Sequence, residues 1–203
     1  MVQLRGFVFL DSLQTQLAGL LAKSAQGSIP KAGQTSLLVE TSPGIFINRV
    51  LDVAIKATAV QPSHLIVERE YGIFEVHHQE QGEVRQAGRA VLDFLGCEEC
   101  SRVKPTILSC QIIRGLEQCH ADLLSKDCAG KAIKPGNSLF ILETAPAVAI
   151  TFAANEAEKA AQVDLVDVRW FGAFGRLYLA GPESDIDSAA HAAVHAIESM
   201  SGA

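Results

Sequence analysis

Hydrophobic and polar positions along the chain follow one pattern twice. A shift of 103 residues places residues 37–43 on residues 140–146, and residues 54–57 on residues 157–160, without a gap. A repeat of only two copies is too short for a solenoid, which needs three or more units to bury a continuous core. We therefore predict two similar domains, residues 1–100 and 101–203, and expect function where the copies meet.

The period of the pattern predicts seven elements in each copy. In the first copy these are strands over residues 7–13, 35–41, 64–70 and 71–77, and helices over 14–24, from Pro43 to about residue 59, and over 82–95. Ser42 and Pro43 predict the N-cap and first turn of the second helix, and Gly72 predicts a tight hairpin or bulge. The order predicts an α+β fold in which helices pack on a four-stranded sheet, mixed or antiparallel, in each copy.

Composition narrows the functional class. The 203 residues are 48% hydrophobic, an excess that usually covers subunit contacts, and the net charge of −6 without a basic cluster argues against nucleic-acid binding. The longest weakly polar run, residues 145–154, is too short to cross a bilayer, and the first residues do not resemble a signal peptide. Five cysteines, an odd number, favour reduced thiols in the cytosol.

Candidate chemistry is sparse. Cys97 and Cys100 have the spacing of half a metal site, but one such pair in a linker is a weak signal, so we predict free thiols and no metal or cofactor. Cys119 and His120 could form a nucleophile pair only if consecutive residues faced each other, which is rare. With no triad order, Walker loop or dinucleotide fingerprint, we predict no catalytic residues and no enzyme activity.

Several segments resemble bacterial microcompartment shell proteins, and more narrowly the tandem-domain, circularly permuted, trimer-forming subgroup typified by the double-stacking carboxysome shell protein. The segments that carry this resemblance are Pro43-Gly44-Ile45, residues 66–72, residues 81–85, residues 153–161 and residues 172–177. The resemblance covers nearly the whole chain. Permutation would explain why each copy begins with a strand that a standard shell domain places last.

The resemblance implies an assembly as well as a fold. Three chains would form a six-sided pseudohexameric tile, and tiles would pack edge to edge with other shell proteins into a cytoplasmic microcompartment shell around enzymes. The threefold axis would be a gated pore for metabolites, and two trimers could stack face to face around a chamber. The alternative interpretation is a cytosolic trimeric regulatory protein that binds a metabolite between subunits.

Glu68 and Arg69 are the candidate pore gate. Threefold symmetry would gather three carboxylates and three guanidinium groups near one axis, where repulsion between like charges amounts to several kcal/mol. Pairing of Glu68 with Arg69 of the next chain would close the hole, and displacement of both side chains would open it. The resemblance implies this gating role for both residues.

Other residues complete the lining of the predicted pore. We expect Glu70 and Tyr71 of the first copy, and Phe171, Gly172 and Ala173 of the second, to line the pore, and Trp170 to fill the core.

A ring of Arg69 side chains in the open pore would favour the passage of small anionic metabolites, and Arg5 and Arg176 could add to its positive charge.

The resemblance also implies that Lys56 and Lys159, the lysine retained in both copies, lie at the tile edge against the neighbouring tile.

Overall fold

A computed structural model describes residues 2–126 and 128–203. The first copy contains β1 (Gln3–Leu10), α1 (Thr15–Ser24), β2 (Thr35–Ser42), α2 (Ile47–Ala57), β3 (Gln61–Glu68), β4 (Tyr71–His78) and α3 (Gln81–Leu95). The second contains β5 (Thr106–Ile113), α4 (Gln118–Lys126), β6 (Ser138–Ala145), α5 (Ile150–Ala160), β7 (Asp164–Arg169), β8 (Gly175–Gly181) and α6 (Glu183–Ser199). The order of elements repeats as the hydrophobic pattern predicts.

Each copy forms one antiparallel sheet of four strands, which decides between the two sheet types that the sequence left open. The strand order is β1-β2-β4-β3 in the first copy and β5-β6-β8-β7 in the second. The apolar strands β2 and β6 lie inside their sheets, where both neighbours cover them. The fold is therefore α+β, with the same connectivity in both copies.

Some predicted boundaries are wrong. β1 begins at Gln3 rather than at residue 7. Arg5 interrupts the apolar pattern and lies at a register shift, but Leu4 and Gly6 on either side of it pair with β2. Ser42 ends β2 and does not cap α2; a single 3-10 turn, Gly44–Phe46, separates them, and no side chain caps α2. β3 starts at Gln61 and ends at Glu68, so the hairpin turn is Arg69 and Glu70 and lies before Gly72, near which it was predicted.

Two helices pack against each sheet through small side chains. Ala54 of α2 and Ala87 of α3 are fully buried in the first copy, and Ala157 of α5 and Ala193 of α6 are fully buried in the second. Small residues let helix backbones approach each other and the sheet closely. The alanine-rich composition is thus used at the helix contacts.

The first copy is joined to the second through α1. Leu17 and Leu21 of this helix are buried in the same cluster as the core of the second copy. The Gln16 side chain donates to the carbonyl oxygen of Val163 at 2.8 Å and accepts from the N–H of Leu165 at 3.0 Å, beside β7. Glu158 of α5 accepts from the N–H groups of Gln16 and Leu17, at 2.7 and 3.1 Å, and so caps α1.

The segment between the copies is anchored by a buried arginine. Arg102 is only 6% exposed and donates to the carbonyl oxygens of Phe7 and Ser201, at 2.7 and 2.8 Å. The backbone of residues 102–104 also pairs with Ala203. Strand β1, the linker and the last residues are thereby held together.

Candidate functional site

The charged turn of the first copy is a two-residue hairpin. Glu68, the last residue of β3, pairs with Tyr71, the first residue of β4, so Arg69 and Glu70 form the turn. Arg69 has a φ of 53°, which is a left-handed backbone conformation that residues other than glycine seldom adopt. The hairpin therefore projects Glu68, Arg69 and Glu70 from the end of the sheet.

Close backbone packing determines where this hairpin lies. A Cβ atom on Gly44 would lie 2.5 Å from the carbonyl carbon of Tyr71 and 2.6 Å from its oxygen. A Cβ atom on Gly72 would overlap the carbonyl oxygen of Gly44 and approach Ile47 Cγ2 to 2.6 Å. Glycine at both positions lets the start of β4 touch the 3-10 turn before α2.

The corresponding turn of the second copy is uncharged and contains more residues. It runs between β7 and β8 and contains Phe171, Gly172, Ala173 and Phe174, and Gly172 has a φ of 97°. Phe171 and Phe174 are 38% and 44% exposed. A Cβ atom on Gly172 would lie 3.4 Å from Glu68 Oε2, so the two turns meet within one chain.

All seven predicted pore residues line a single cavity of about 840 Å³. They are Glu68, Arg69, Glu70, Tyr71, Phe171, Gly172 and Ala173. The cavity is also lined by residues at the end of α1, including Lys23, and at the end of β7, including Arg169. Arg176, named as an accessory, lines the same cavity.

Contacts within the chain occupy three of the four basic groups that line this cavity. Arg169 donates to Asp167 at 3.1 Å, Arg176 donates to Glu143 at 2.7 Å, and Lys23 donates to the carbonyl oxygen of Ala129. Arg69 makes no ion pair with any residue in 2–126 or 128–203. Its guanidinium group is therefore available to a partner outside the chain.

Arg5 contributes more than its sequence position suggested. Its Nε donates to Glu40 Oε1 at 2.8 Å, and its guanidinium carbon lies 3.7 Å from the centre of the Tyr71 ring. Glu40 Oε2 also accepts from the N–H of Val148 in the second copy, at 3.1 Å. Burial raises the pKa of the Glu40 carboxyl, although the hydrogen bonds from Arg5 and Val148 oppose that rise.

Trp170 is a core residue, as expected. It is 2% exposed, and its ring stands edge-on to His64 and to Phe171, with centroids 5.0 and 5.9 Å away. Burial lowers the pKa of His64 to about 4, with a smaller contribution from His77, so its imidazole is neutral near pH 7. The aromatic contact thus supports the uncharged turn from behind.

The two lysines predicted at the tile edge differ in their surroundings. The Lys56 side chain is 73% exposed and contacts Asp52 one helical turn away, at 2.7 Å. Lys159 is 31% exposed and is held by Asp11 of the first copy at 3.1 Å and by Glu156 at 2.8 Å. Burial opposes the charge of Lys159, but these hydrogen bonds outweigh it and raise the pKa of its ammonium group.

The cysteines do not gather. Cys100, Cys110 and Cys119 are exposed and Cys97 and Cys128 half-buried, and all five are free thiols. Across residues 2–126 and 128–203, no three His, Cys, Asp or Glu side chains are arranged to hold a metal ion. Cys119 and His120 are neighbours on the exposed side of α4.

The structure also exposes apolar side chains on each copy that the sequence analysis did not identify. Helix α4 is the counterpart of α1, yet Leu123 is 63% exposed where its counterpart Leu20 is 9% exposed. In the first copy, Ile45 is 70% exposed, whereas its counterpart Val148 is buried against β1. The 103-residue offset could have identified these exposed positions, because equivalent apolar residues in the two copies are expected to be buried by equivalent contacts.

Comparison with known proteins identifies the family. The family model described as the CsoS1D N-terminal domain matches residues 4–101. The carboxysome shell protein CcmP of Synechococcus elongatus is 47% identical over 201 residues, which are 99% of this chain and 94% of that protein. The chain belongs to the CsoS1D and CcmP family of carboxysome shell proteins. CsoS1D of Hydrogenovibrio crunogenus is 46% identical and covers 98% of both chains.

Solved structures of shell proteins share the fold of this CsoS1D and CcmP family member. The fused permuted hexameric shell protein MSM0275 from the RMM microcompartment superposes with a TM-score of 0.96, at 43% identity over 99% of both chains. The double-ringed trimeric shell protein MSM0271 also gives 0.96, at 36% identity over 100% of this chain and 99% of that one. The predicted tandem permuted fold is confirmed.

Family membership decides the functional class. The chain is a structural shell protein that works in an oligomeric assembly, and it is not an enzyme. The alternative interpretation as a metabolite-binding regulator is not supported by these relatives. In the part of the chain that the structure describes, no helix is long and apolar enough to span a bilayer.

Proposed function

We propose that three copies of this chain form a six-sided shell tile whose threefold axis is a gated metabolite pore. Each chain would supply two of the six sectors, divided at residues 100 and 101. The observation that carries the proposal is the meeting of both predicted pore turns, 68–71 and 171–173, in one cavity. Three such pairs of turns around an axis would enclose a hole lined alternately by charged and uncharged turns.

The contact between copies within the chain supports the trimer. Helix α1 of the first copy covers the second copy, whereas α4, its counterpart, leaves Leu123 exposed. Repeating the internal contact would lay α4 of one chain on the first copy of the next, and β5 over Ile45. Such a head-to-tail contact closes into a ring if its rotation divides a full turn, and a sixth of a turn per copy gives a trimer.

The gate rests on Glu68 and Arg69. The two residues follow each other at a hairpin turn, and Arg69 has no ion-pair partner within the described residues. An intermolecular pair between Glu68 and Arg69 would neutralise both rings of charge at the axis and block it. Withdrawal of either side chain would leave the pore open, lined by Glu70, Tyr71, Phe171, Gly172 and Ala173.

Small anions are the proposed cargo. The cavity at the turns contains the basic residues Lys23, Arg69, Arg169 and Arg176 and the acidic residues Glu68, Glu70 and Asp167. Arg169 and Arg176 are paired with carboxylates of their own chain, whereas Glu68, Arg69 and Glu70 have no ion-pair partner among the described residues. An open state that presents Arg69 to the opening would therefore supply the positive charge. Three such charges around a narrow opening attract carboxylates or phosphorylated sugars and do not attract neutral solutes.

Tile-to-tile contact is assigned to the helix lysines. Lys56 is exposed and available to a neighbouring tile. Lys159 would have to exchange its contacts with Asp11 and Glu156 to act in the same way. We place both at the tile edge, in contact with other shell proteins. We also propose that two trimers stack face to face, because a structure of the same fold is described as a double-ringed trimeric shell protein.

Electron microscopy of the purified protein tests the tile itself. We expect flat sheets with hexagonal order at high protein concentration, since six similar edges must make the same contact. The mass in dilute solution, measured by light scattering, should correspond to three or six chains. Protein that remains monomeric, or that forms no ordered sheet with itself or with other shell proteins, would contradict the proposal.

Flux through sheets mounted on a nanoporous support tests the cargo. We expect Arg69→Ala to lower the flux ratio of a phosphorylated sugar to a neutral sugar by about tenfold, because a ring of three charges is removed. Arg69→Lys retains the charge and should keep most of that ratio. An unchanged ratio in Arg69→Ala sheets of normal lattice order would remove the basis for anion selection.

A further inference from the structure

Arg5 connects three parts of the molecule that the pore mechanism needs in fixed relation. Its guanidinium group covers the Tyr71 ring at 3.7 Å, and its Nε is bonded to Glu40 at 2.8 Å. Tyr71 directly follows the turn that carries Arg69 and Glu70. Glu40 in turn accepts the N–H of Val148 in the second copy. We propose that Arg5 is a positioning residue for the pore gate, which holds the 68–71 hairpin through the face of Tyr71; the inference rests on the gate proposed above.

The burial of these groups makes the contact effective. Glu40 is 1% exposed and the Arg5 side chain 15% exposed, so water competes weakly for either charge. A guanidinium group that is fixed by a carboxylate has little freedom to leave the ring, because departure would leave a buried carboxylate unpaired. Tyr71 is thereby attached to the central strand β2 by a contact that does not depend on the turn itself.

The gate residue lies in the same group of contacts. Glu40, Tyr71, Glu68, Phe171 and Gly172 line one small cavity. Movement of Tyr71 away from Arg5 would therefore change the space next to the Glu68 carboxylate and the Gly172 turn. Contact between Arg5 and Tyr71 favours the conformation described here, and loss of the contact favours displacement of the hairpin.

The second copy provides an internal comparison. At the 103-residue offset, Arg5 corresponds to Leu108 and Tyr71 to Phe174. Leu108 and Phe174 are 48% and 44% exposed, and Glu143, the counterpart of Glu40, pairs with Arg176 instead. The cation–ring contact thus occurs in the copy with the charged turn and is missing at the equivalent place behind the uncharged turn.

Cryo-electron microscopy with classification of the 68–71 hairpin tests this positioning role. We expect wild-type particles to divide between two hairpin conformations, and Arg5→Gln to lower the ratio of the present conformation to the displaced one by about fivefold, the effect of one cation–π contact. Tyr71→Leu should reproduce that shift, and Tyr71→Phe, which keeps an aromatic face, should not. Arg85→Gln is the matched control. Arg85 belongs to helix α3, away from the cavity, and its guanidinium carbon lies 4.5 Å from the centre of the Phe9 ring.

The outcomes separate this inference from the gate. A single hairpin conformation in the wild type would overturn the gate and the role of Arg5 together. Two conformations in the wild type, with ratios unchanged in both Arg5→Gln and Tyr71→Leu, would overturn the role of Arg5 alone. If Arg5→Gln fails to fold, Tyr71→Leu measures the contact with the Arg5–Glu40 pair intact. A general loss of stability would change the melting temperature but would not distinguish Tyr71→Leu from Tyr71→Phe in the hairpin ratio.

Discussion

Replacement of Leu123 by aspartate is expected to abolish the trimer and leave a folded monomer. Leu123 is 63% exposed in the single chain, so its own fold does not depend on it. In the proposed ring it would be covered as Leu20 is, and burial of a leucine contributes about 1.5–3 kcal/mol. A carboxylate buried there without a partner costs more than this contribution. We therefore expect each interface to weaken by about a hundredfold or more.

Analytical ultracentrifugation at micromolar concentration measures this result, and circular dichroism confirms that the monomer is folded. Ile29→Asp is the matched control, because Ile29 is 57% exposed and its counterpart Ala132 is exposed as well. The internal contact therefore covers this position in neither copy, and the control should remain trimeric. A Leu123→Asp protein that sediments as the wild type does would show that α4 faces solvent, and the proposed ring would then be wrong.

Replacement of Gly72 by alanine is expected to destabilise the protein strongly. The added methyl group would overlap the carbonyl oxygen of Gly44 and lie 2.6 Å from Ile47 Cγ2. Both obstacles belong to a packed 3-10 turn and the start of a helix, so neither can move away as a flexible side-chain end would. Overpacking against backbone costs about 3 kcal/mol, and β4 must shift to reduce it.

Urea denaturation measures the loss in free energy of unfolding, and Gly19→Ala supplies the control. Gly19 lies inside α1 with open space where its Cβ atom would be. Alanine there should stabilise the protein by about 0.5–1 kcal/mol, because glycine is a poor residue for a helix interior. The two glycine-to-alanine changes are thus expected to have opposite signs. Equal stability of Gly72→Ala and wild type would contradict the close packing of the hairpin on the 3-10 turn.

The sequence was informative where a local pattern decides the structure. The apolar run of β2, the helical spacing of small residues in α2 and the repeat at 103 residues predicted the α+β fold and its duplication. The adjacent residues Glu68 and Arg69 were predicted at the end of a strand, before a turn near Gly72; the structure keeps Glu68 in β3 and places Arg69 in the turn. Boundaries were less accurate at Arg5 and Ser42, because a polar side chain interrupts the apolar pattern there although the strand continues: pairing resumes on both sides of Arg5, and Ser42 pairs with Gln3.

The sequence by itself determined the content of each half: its helices and strands, their order, and whether its predicted pore turn is charged, as in the first copy, or uncharged, as in the second. Those features depend on residues that are near one another along the chain, so periodicity and turn chemistry reveal them. Only the tertiary structure decided how the halves meet and which distant residues within a half come into contact. Helix α1 crosses to the second sheet, Glu40 bonds to Val148, and Arg5 covers Tyr71, each across more than 60 residues. No local pattern encodes such partners, because they are selected by the packing of two complete surfaces.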